Sequence, residues 1–389
     1  MFNIDCYIPT RVIFGPGRIK ELEILDMPGS KAVLCMVNSC FLHETGLLDK
    51  VKGILQKRGI ESVIYDKITP NPCKWQIMEA ASLARKNGCD FCIGLGGGSS
   101  IDAAKATAAM MVMEGDLWDY AYTGTGGRKE ITGAAPVVAV TTTSGTGTET
   151  DPYCVITNES TGEKLDFACD KLFPVASIID PELMTGLSRE QTIYQGFDAF
   201  FHAEECFIVN QHNNKLVDIF AEESVRTVFT WLPKAADEGK DMEARTYMAY
   251  AADILSGYTQ SLINTTSHHI IAQYLGGKYP DLPHGLSLIA IAEAYYKKII
   301  EFVPDALEEL GVMMGGNPVP GKKGENFIKR LTEMLDAMEM RRPALSGYGM
   351  KKEDIKDIAK GVVDDIGLDC DIYRLTAVDV EEILEKSYR

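Results

Sequence analysis

Two periodicities divide this chain. Up to about residue 187, short apolar runs alternate with segments whose apolar residues recur every three or four positions. The runs cover residues 32–37, 62–65, 91–95, 136–140 and 175–179. Each has strand length, and nearly continuous apolar character marks strands buried on both faces. The intervening segments 46–58, 75–87 and 99–113 predict helices, with Ile77, Ala80, Ala81 and Ala84 on one side of the second. The alternation predicts a parallel, Rossmann-like sheet covered by helices.

From Gln191 onward the helical spacing persists and convincing strands stop. Helices are expected over 191–209, 214–237, 242–259, 261–275, 286–303, 324–338, 351–363 and 379–387. Gly and Pro make 314–323 a loop. The organisation expected is an α/β N-terminal domain over 1–187 and an all-helical C-terminal domain over 188–389, without internal repeats or low-complexity tracts.

Composition narrows the partners. A chain of 389 residues exceeds one compact core. Hydrophobic residues at 46% and charged residues at 24% exclude disorder. A net charge of −17 repels phosphate backbones and anionic lipid, so neither nucleic acid nor a membrane is expected as partner. Residues 1–6 lack the basic start and apolar run of a signal peptide, and the most apolar stretches, 103–113 and 286–294, are too short to span a bilayer. These features predict a cytoplasmic location. Ten scattered cysteines fit reduced thiols. The C-x-x-C of Cys89 and Cys92 has no second pair at zinc spacing, so both are expected to be packing residues.

Two loops carry candidate chemistry. The run 91–95 leads into Gly96-Gly97-Gly98-Ser99-Ser100 and then a helix. Strand, glycine turn and helix is a context that suits a pyrophosphate, because glycine permits close backbone approach and the helix start offers free N–H groups. Ser99 could cap that helix, with Asp102 three residues on. The spacing departs from G-x-G-x-x-G, and a plain structural turn fits the glycines equally well. The next strand leads into Thr141-Thr142-Thr143-Ser144-Gly145-Thr146-Gly147-Thr148-Glu149, whose hydroxyls can bond phosphate or ribose. Its bland alternative is a polar loop. Two such loops after buried strands point together to a dinucleotide-binding domain.

The second candidate set is acidic and imidazole. Asp198 and His202 are four apart, hence on one helix face, amid Phe and Ala. A carboxylate there is costly unless paired or metal-bound. A cap or salt bridge remains the alternative for that pair. Ser267-His268-His269 and Pro283-His284-Gly285 supply further imidazoles. One Asp with three His suits Fe2+ or Zn2+.

Taken together, these motifs resemble the iron-containing (group III) alcohol dehydrogenases. The likeness runs from Phe14-Gly15-Pro16-Gly17 through Thr69-Pro70-Asn71-Pro72 and the glycine turn with Asp102 and Lys105. It continues through Thr142 to Glu149, Lys164, Ile179-Asp180-Pro181-Glu182-Leu183, Asp198 to His202, and Leu275-Gly276-Gly277 to Pro283-His284-Gly285. The resemblance implies a metal-dependent oxidoreductase that moves hydride between a small alcohol or aldehyde and NAD or NADP, with a cleft between two domains and a homodimer or higher homo-oligomer. It implies Asp198, His202, His269 and His284 as ligands of one Fe2+ or Zn2+. It implies cofactor contacts at Asn71, Gly97, Gly98, Ser99, Asp102, Thr142, Thr143, Thr146, Lys164 and Leu183. His269 is taken over its neighbour by counting back from Leu275-Gly276-Gly277.

Two departures stand out. Gln273 occupies the place where the family commonly carries a His four residues after the third ligand, a residue associated with substrate binding or proton relay, and Gln cannot titrate. The connection 278–282 is also one residue longer than usual. Val37-Asn38-Ser39 offers neither a carboxylate to exclude NADP nor a cation to recruit it. Two rival readings are a dehydroquinate-synthase-like lyase and a non-catalytic nucleotide- or metal-binding protein.

Overall fold

A computed structural model of the chain describes every residue except Met1, Asn3 and Ser39. The chain divides into two compact units. One is Ile8–Leu187; the other is Ser188–Arg389 with the described residues of Met1–Tyr7.

In the first unit, six parallel strands form one sheet. They are β1 (Arg11–Phe14), β2 (Lys31–Val37), β3 (Glu61–Ile68), β4 (Phe91–Gly96), β5 (Val137–Thr141) and, after a hairpin, β8 (Ala176–Ile179). Their spatial order is β1-β8-β5-β4-β2-β3. Helices α1 (Cys40–Glu44), α2 (Leu47–Lys57), α3 (Lys74–Asn87) and α4 (Gly98–Val112) make the connections. Val33, Cys35, Cys92, Val137 and Ala139 are as fully buried as Leu34, Ile93 and Val138 on the opposite face. Burial on both faces is why these strands read as unbroken apolar runs. The chain goes from β2 outward to β3, then returns past β2 to β4 and on to β5. Strand order therefore reverses between β2 and β4, and the carboxyl ends of these strands border the crevice where open α/β sheets hold ligands. The hairpin, β6 (Tyr153–Asn158) with β7 (Glu163–Ala168), is antiparallel and falls outside the sequence expectation, as does edge strand β1.

The second unit is helical: α5 (Arg189–Asn210), α6 (Lys215–Asp237), α7 (Met242–Ala249), α8 (Gly257–Leu262), α9 (Ser267–Lys278), α10 (His284–Ile299), α11 (Pro304–Met313), α12 (Glu325–Ala337), α13 (Ile355–Gly361) and α14 (Ala377–Ser387). A π-helical stretch, Tyr250–Ser256, joins α7 to α8. The expected helix 261–275 starts later, because Ile263 turns extended (φ −161°) and Thr266 caps α9 by accepting from the His268 amide. The expected helix 286–303 is two: α10 ends at Ile299 and Pro304 opens α11 at a first-turn position that needs no N–H. Among the described residues no helix is long and apolar enough to cross a membrane. The described cysteines are free thiols, and Cys92 packs its sulfur 3.3 Å from that of Met111.

One ion cluster ties this unit together. Glu293 of α10 accepts from Lys297 Nζ at 2.6 Å and from Arg341 at 3.2 Å, with Arg342 at 3.5 Å. The Arg341 hydrogen bond, then Lys297, holds its carboxyl down to about 2. The folded value lies below the unfolded one, so the stabilisation is complete above about pH 4.5 and disappears as pH falls towards 2. Glu293→Gln should cost about 1–2 kcal/mol at pH 7 and almost nothing at pH 2. Urea unfolding at both pH values checks this.

Candidate metal and dinucleotide sites

The helical unit gathers the acid and imidazoles. Helix α5 starts with a reciprocal cap, in which Ser188 Oγ accepts from the Gln191 amide and Gln191 Oε1 from the Ser188 amide. It runs 22 residues, its later turns almost wholly buried, and places Asp198 and His202 one turn apart on one face. Helix α9 supplies His269 near its start, and His284 is the first residue of α10, set by the extended Pro283 before it. All three imidazoles aim Nε2 at one carboxylate oxygen. From Asp198 Oδ1 the distances are 3.4 Å to His269, 3.6 Å to His284 and 3.7 Å to His202. The His202 and His269 rings stack with centroids 4.4 Å apart.

Burial alone would raise the Asp198 carboxyl, yet the neighbouring His202, His284 and His269 bring it down to about 2. His269 moves the opposite way. Desolvation opposes its charge, but Glu205 and Asp198 together lift it to about 9. Such an arrangement fits a divalent cation. Four N or O donors at about 2.0–2.1 Å from a tetrahedral ion lie about 3.4 Å from one another, and the observed separations from Asp198 Oδ1 are near that edge length. Three of the residues, Asp198, His269 and His284, hold their donor atoms mutually within 4.8 Å. His202 joins them through Asp198 and the stacked ring.

The structure also separates the adjacent histidines. His269 faces Asp198, whereas the wholly buried His268 donates Nε2–H to the Leu288 carbonyl at 3.1 Å. Gln273 lies one turn after His269 in α9, half-buried. Sequence reasoning missed Glu205, a fully buried carboxylate whose Oε1 lies 2.7 Å from His269 Nδ1. Its signal was available: Asp198, His202 and Glu205 are spaced i, i+4, i+7, which is one helix face. Desolvation works against its charge, but His269 and His268 hold Glu205 below the ordinary range. Burial, and then the charge on Glu205, push the adjacent Glu204 carboxyl well up.

The α/β unit gathers the glycines and threonines. Helix α4 begins at Gly98 with an extended Gly97 as its cap, and Gly96 takes φ +139°. A Cβ on Gly97 would lie 2.7 Å from Thr143 Cγ2, and one on Gly98 2.6 Å from Thr146 Cγ2. The two loops therefore press together, and the Thr142 amide bonds the Gly96 carbonyl at 3.0 Å. The cap expected from Ser99 and Asp102 does not form. Asp102 instead accepts from Thr148 Oγ1 at 2.7 Å and from the Val155 amide at 3.0 Å. Beneath it, the buried Lys105 Nζ donates to Thr148 Oγ1, the Asp151 carbonyl and the Tyr153 carbonyl at 2.7–2.8 Å. Asp102 and Lys105 thus hold the threonine loop and β6 against the helix start. Lys164 on β7 donates to Asn71 Oδ1 at 2.7 Å, joining two more expected cofactor residues. Leu183 sits in the 3-10 turn Pro181–Met184 after β8, packed on the core. Glycines that admit no side chain, at the N-terminus of a 15-residue helix with its positive dipole end, fit a pyrophosphate. At the end of β2, Asn38 is exposed, and Ser39 lies outside the described residues.

Comparison with known proteins adds an independent finding. The sequence model described as iron-containing alcohol dehydrogenase matches residues 9–181, and its C-terminal counterpart matches 192–388. The chain is 30% identical to the NAD-dependent methanol dehydrogenase of Bacillus methanolicus, covering 98% of this chain and 99% of that one. It is 33% identical to a long-chain primary alcohol dehydrogenase of Thermoanaerobacter ethanolicus, covering 92% and 90%. Among solved structures, the NADH-dependent butanol dehydrogenase A of Thermotoga maritima superposes with a TM-score of 0.90 at 30% identity, covering 100% and 99%.

Proposed function

Because this chain belongs to the iron-containing alcohol dehydrogenase family, we propose that it interconverts a primary alcohol and its aldehyde at the Asp198, His202, His269 and His284 cluster, using a nicotinamide dinucleotide seated on the glycine turn. The chain is an alcohol dehydrogenase. The convergence of three Nε2 atoms on Asp198 Oδ1 carries the site assignment.

A divalent ion at this cluster, Fe2+ or Zn2+, would supply Lewis-acid polarisation of the substrate oxygen, and the dinucleotide would accept or supply the hydride. Asp198 contributes the negative charge that offsets part of the ion's charge, and the imidazoles contribute neutral donors. His284 is the most exposed of the four, with 24% of its side chain accessible against 3–8% for the others, so substrate approaches from its side. Gln273 can bond a substrate hydroxyl but cannot take its proton, which leaves water or the cofactor ribose as the proton's exit. Gly97, Gly98, Ser99, Thr142, Thr143 and Thr146 would hold the pyrophosphate. Asn71, Lys164 and Leu183 would hold the rest of the dinucleotide, and Asp102 supports the loop from behind. The relatives named for methanol, for long-chain primary alcohols and for butanol support a simple alcohol as the substrate class here.

Straight-chain aldehydes offered with NADH and with NADPH should be reduced, followed by loss of nicotinamide absorbance. Metal analysis of the same sample should find about one Fe2+ or Zn2+ per chain. No turnover of any alcohol or aldehyde with either cofactor would overturn the reading.

A further inference from the structure

We propose that Glu205 is a positioning residue for the metal centre: its Oε1 fixes His269 with the hydrogen on Nδ1 and leaves Nε2 to face Asp198. The inference rests on the metal reading above.

Glu205 follows His202 by three residues on α5, and its side chain is 0% exposed. Its two oxygens have separate tasks. Oε2 accepts from the Thr266 amide at 2.9 Å and from Thr266 Oγ1 at 2.8 Å. Thr266 caps α9, so this half of the carboxylate anchors the start of the helix that carries His269. Oε1 lies 2.7 Å from His269 Nδ1 and 2.9 Å from His268 Nδ1. An ionised carboxylate only accepts, so the hydrogen of a neutral His269 ring sits on Nδ1. The lone pair then sits on Nε2, which is 3.4 Å from Asp198 Oδ1. Acceptors behind a ligating imidazole set its tautomer and raise its basicity. A capping role would need Oε2 alone, and Oε1 is spent on the imidazoles. His268, pinned on its far side by the Leu288 carbonyl and stacked on Tyr295, keeps Oε1 in place.

The test uses full-length Glu205→Gln, which preserves size and one acceptor but removes the charge. Chelator competition should show Co2+ and Zn2+ binding weakened about 10–100-fold. The visible spectrum of the Co2+ protein should shift, while the metal-free protein melts near the wild-type temperature. A lower metal-free melting temperature, with wild-type affinity and spectrum, would make Glu205 structural and overturn the proposal. A second measurement needs no variant. Nitrogen-15 imidazole spectra of Zn2+-loaded wild type should show His269 protonated at Nδ1, and an Nε2–H tautomer overturns the proposal even if Glu205→Gln fails to fold. His269→Ala separates the two levels of inference. Wild-type metal affinity in His269→Ala would sink the site and this role together. Loss there, with full affinity in Glu205→Gln, would sink only the role of Glu205.

Discussion

His269→Ala should yield a folded protein that retains little metal and whose kcat/KM is lower by about 10³-fold or more. His269 is the most deeply held imidazole of the cluster, 2% exposed and engaged at both ring nitrogens. Its removal takes away one donor of four and leaves Glu205 with a cavity where an N–H had been. Lewis-acid assistance contributes several kcal/mol, and each 1.36 kcal/mol is about tenfold in rate. The readouts are metal content by elemental analysis and steady-state kinetics on the best alcohol. Chelation of the wild type should mimic the variant. A ligand at about 100 times its Kd stabilises by about 2.7 kcal/mol, which is a melting shift of about 5–10 °C for a unit of this size. His212→Ala is the control, because His212 pairs with Asp218 and Glu309 at the surface, and it should leave metal and rate unchanged. Wild-type metal content and turnover in His269→Ala would refute the assignment.

Gly98→Val should weaken NADH binding about 10–100-fold and leave metal content intact. The new Cβ would sit 2.6 Å from Thr146 Cγ2 and 2.9 Å from its Oγ1. Threonine is short and stiff at χ1, so the loop itself must move. Thr148 and Asp151 tie that loop to Lys105, and the shift spreads to the helix start. Each hydrogen bond lost to a charged phosphate costs about 1.5–3 kcal/mol. Fluorescence titration with NADH measures the effect. Gly133→Val is the control, since a Cβ there meets only Val112 at 3.6 Å. If Gly98→Val binds NADH as the wild type does, the cofactor is not seated on this turn.

The parallel sheet was legible because double-sided burial leaves an unbroken apolar run, as at residues 91–95 and 136–140. The hairpin β6–β7 was not, because its strands are only six residues each and mix polar with apolar positions, without an unbroken apolar run. The break between α8 and α9 was hidden because apolar spacing runs on across it, and only Asn264, Thr265 and Thr266 mark the stop. In the site, motif order picked out Asp198, His202, His269 and His284. What packs behind a ligand leaves a weaker trace. Glu205 reads as one more acid on a long helix until α9 is folded against it. Asp102 reads as a cap, and its turn towards Thr148 and Val155 depends on β6, which lies more than fifty residues away.

The donor set also has a topological meaning. Asp198 and His269 stand 71 positions apart in the chain, and His284 comes from a third helix. An ion shared by them would staple α5, α9 and α10 like a reversible cross-link. Cross-links over long loops restrict the unfolded chain most. Metal would then be part of how this unit matures as well as how it reacts. Protein made in metal-starved cells should be the first to be cut by proteases, with cleavage near residues 263–266 and 279–283, where α9 meets its neighbours.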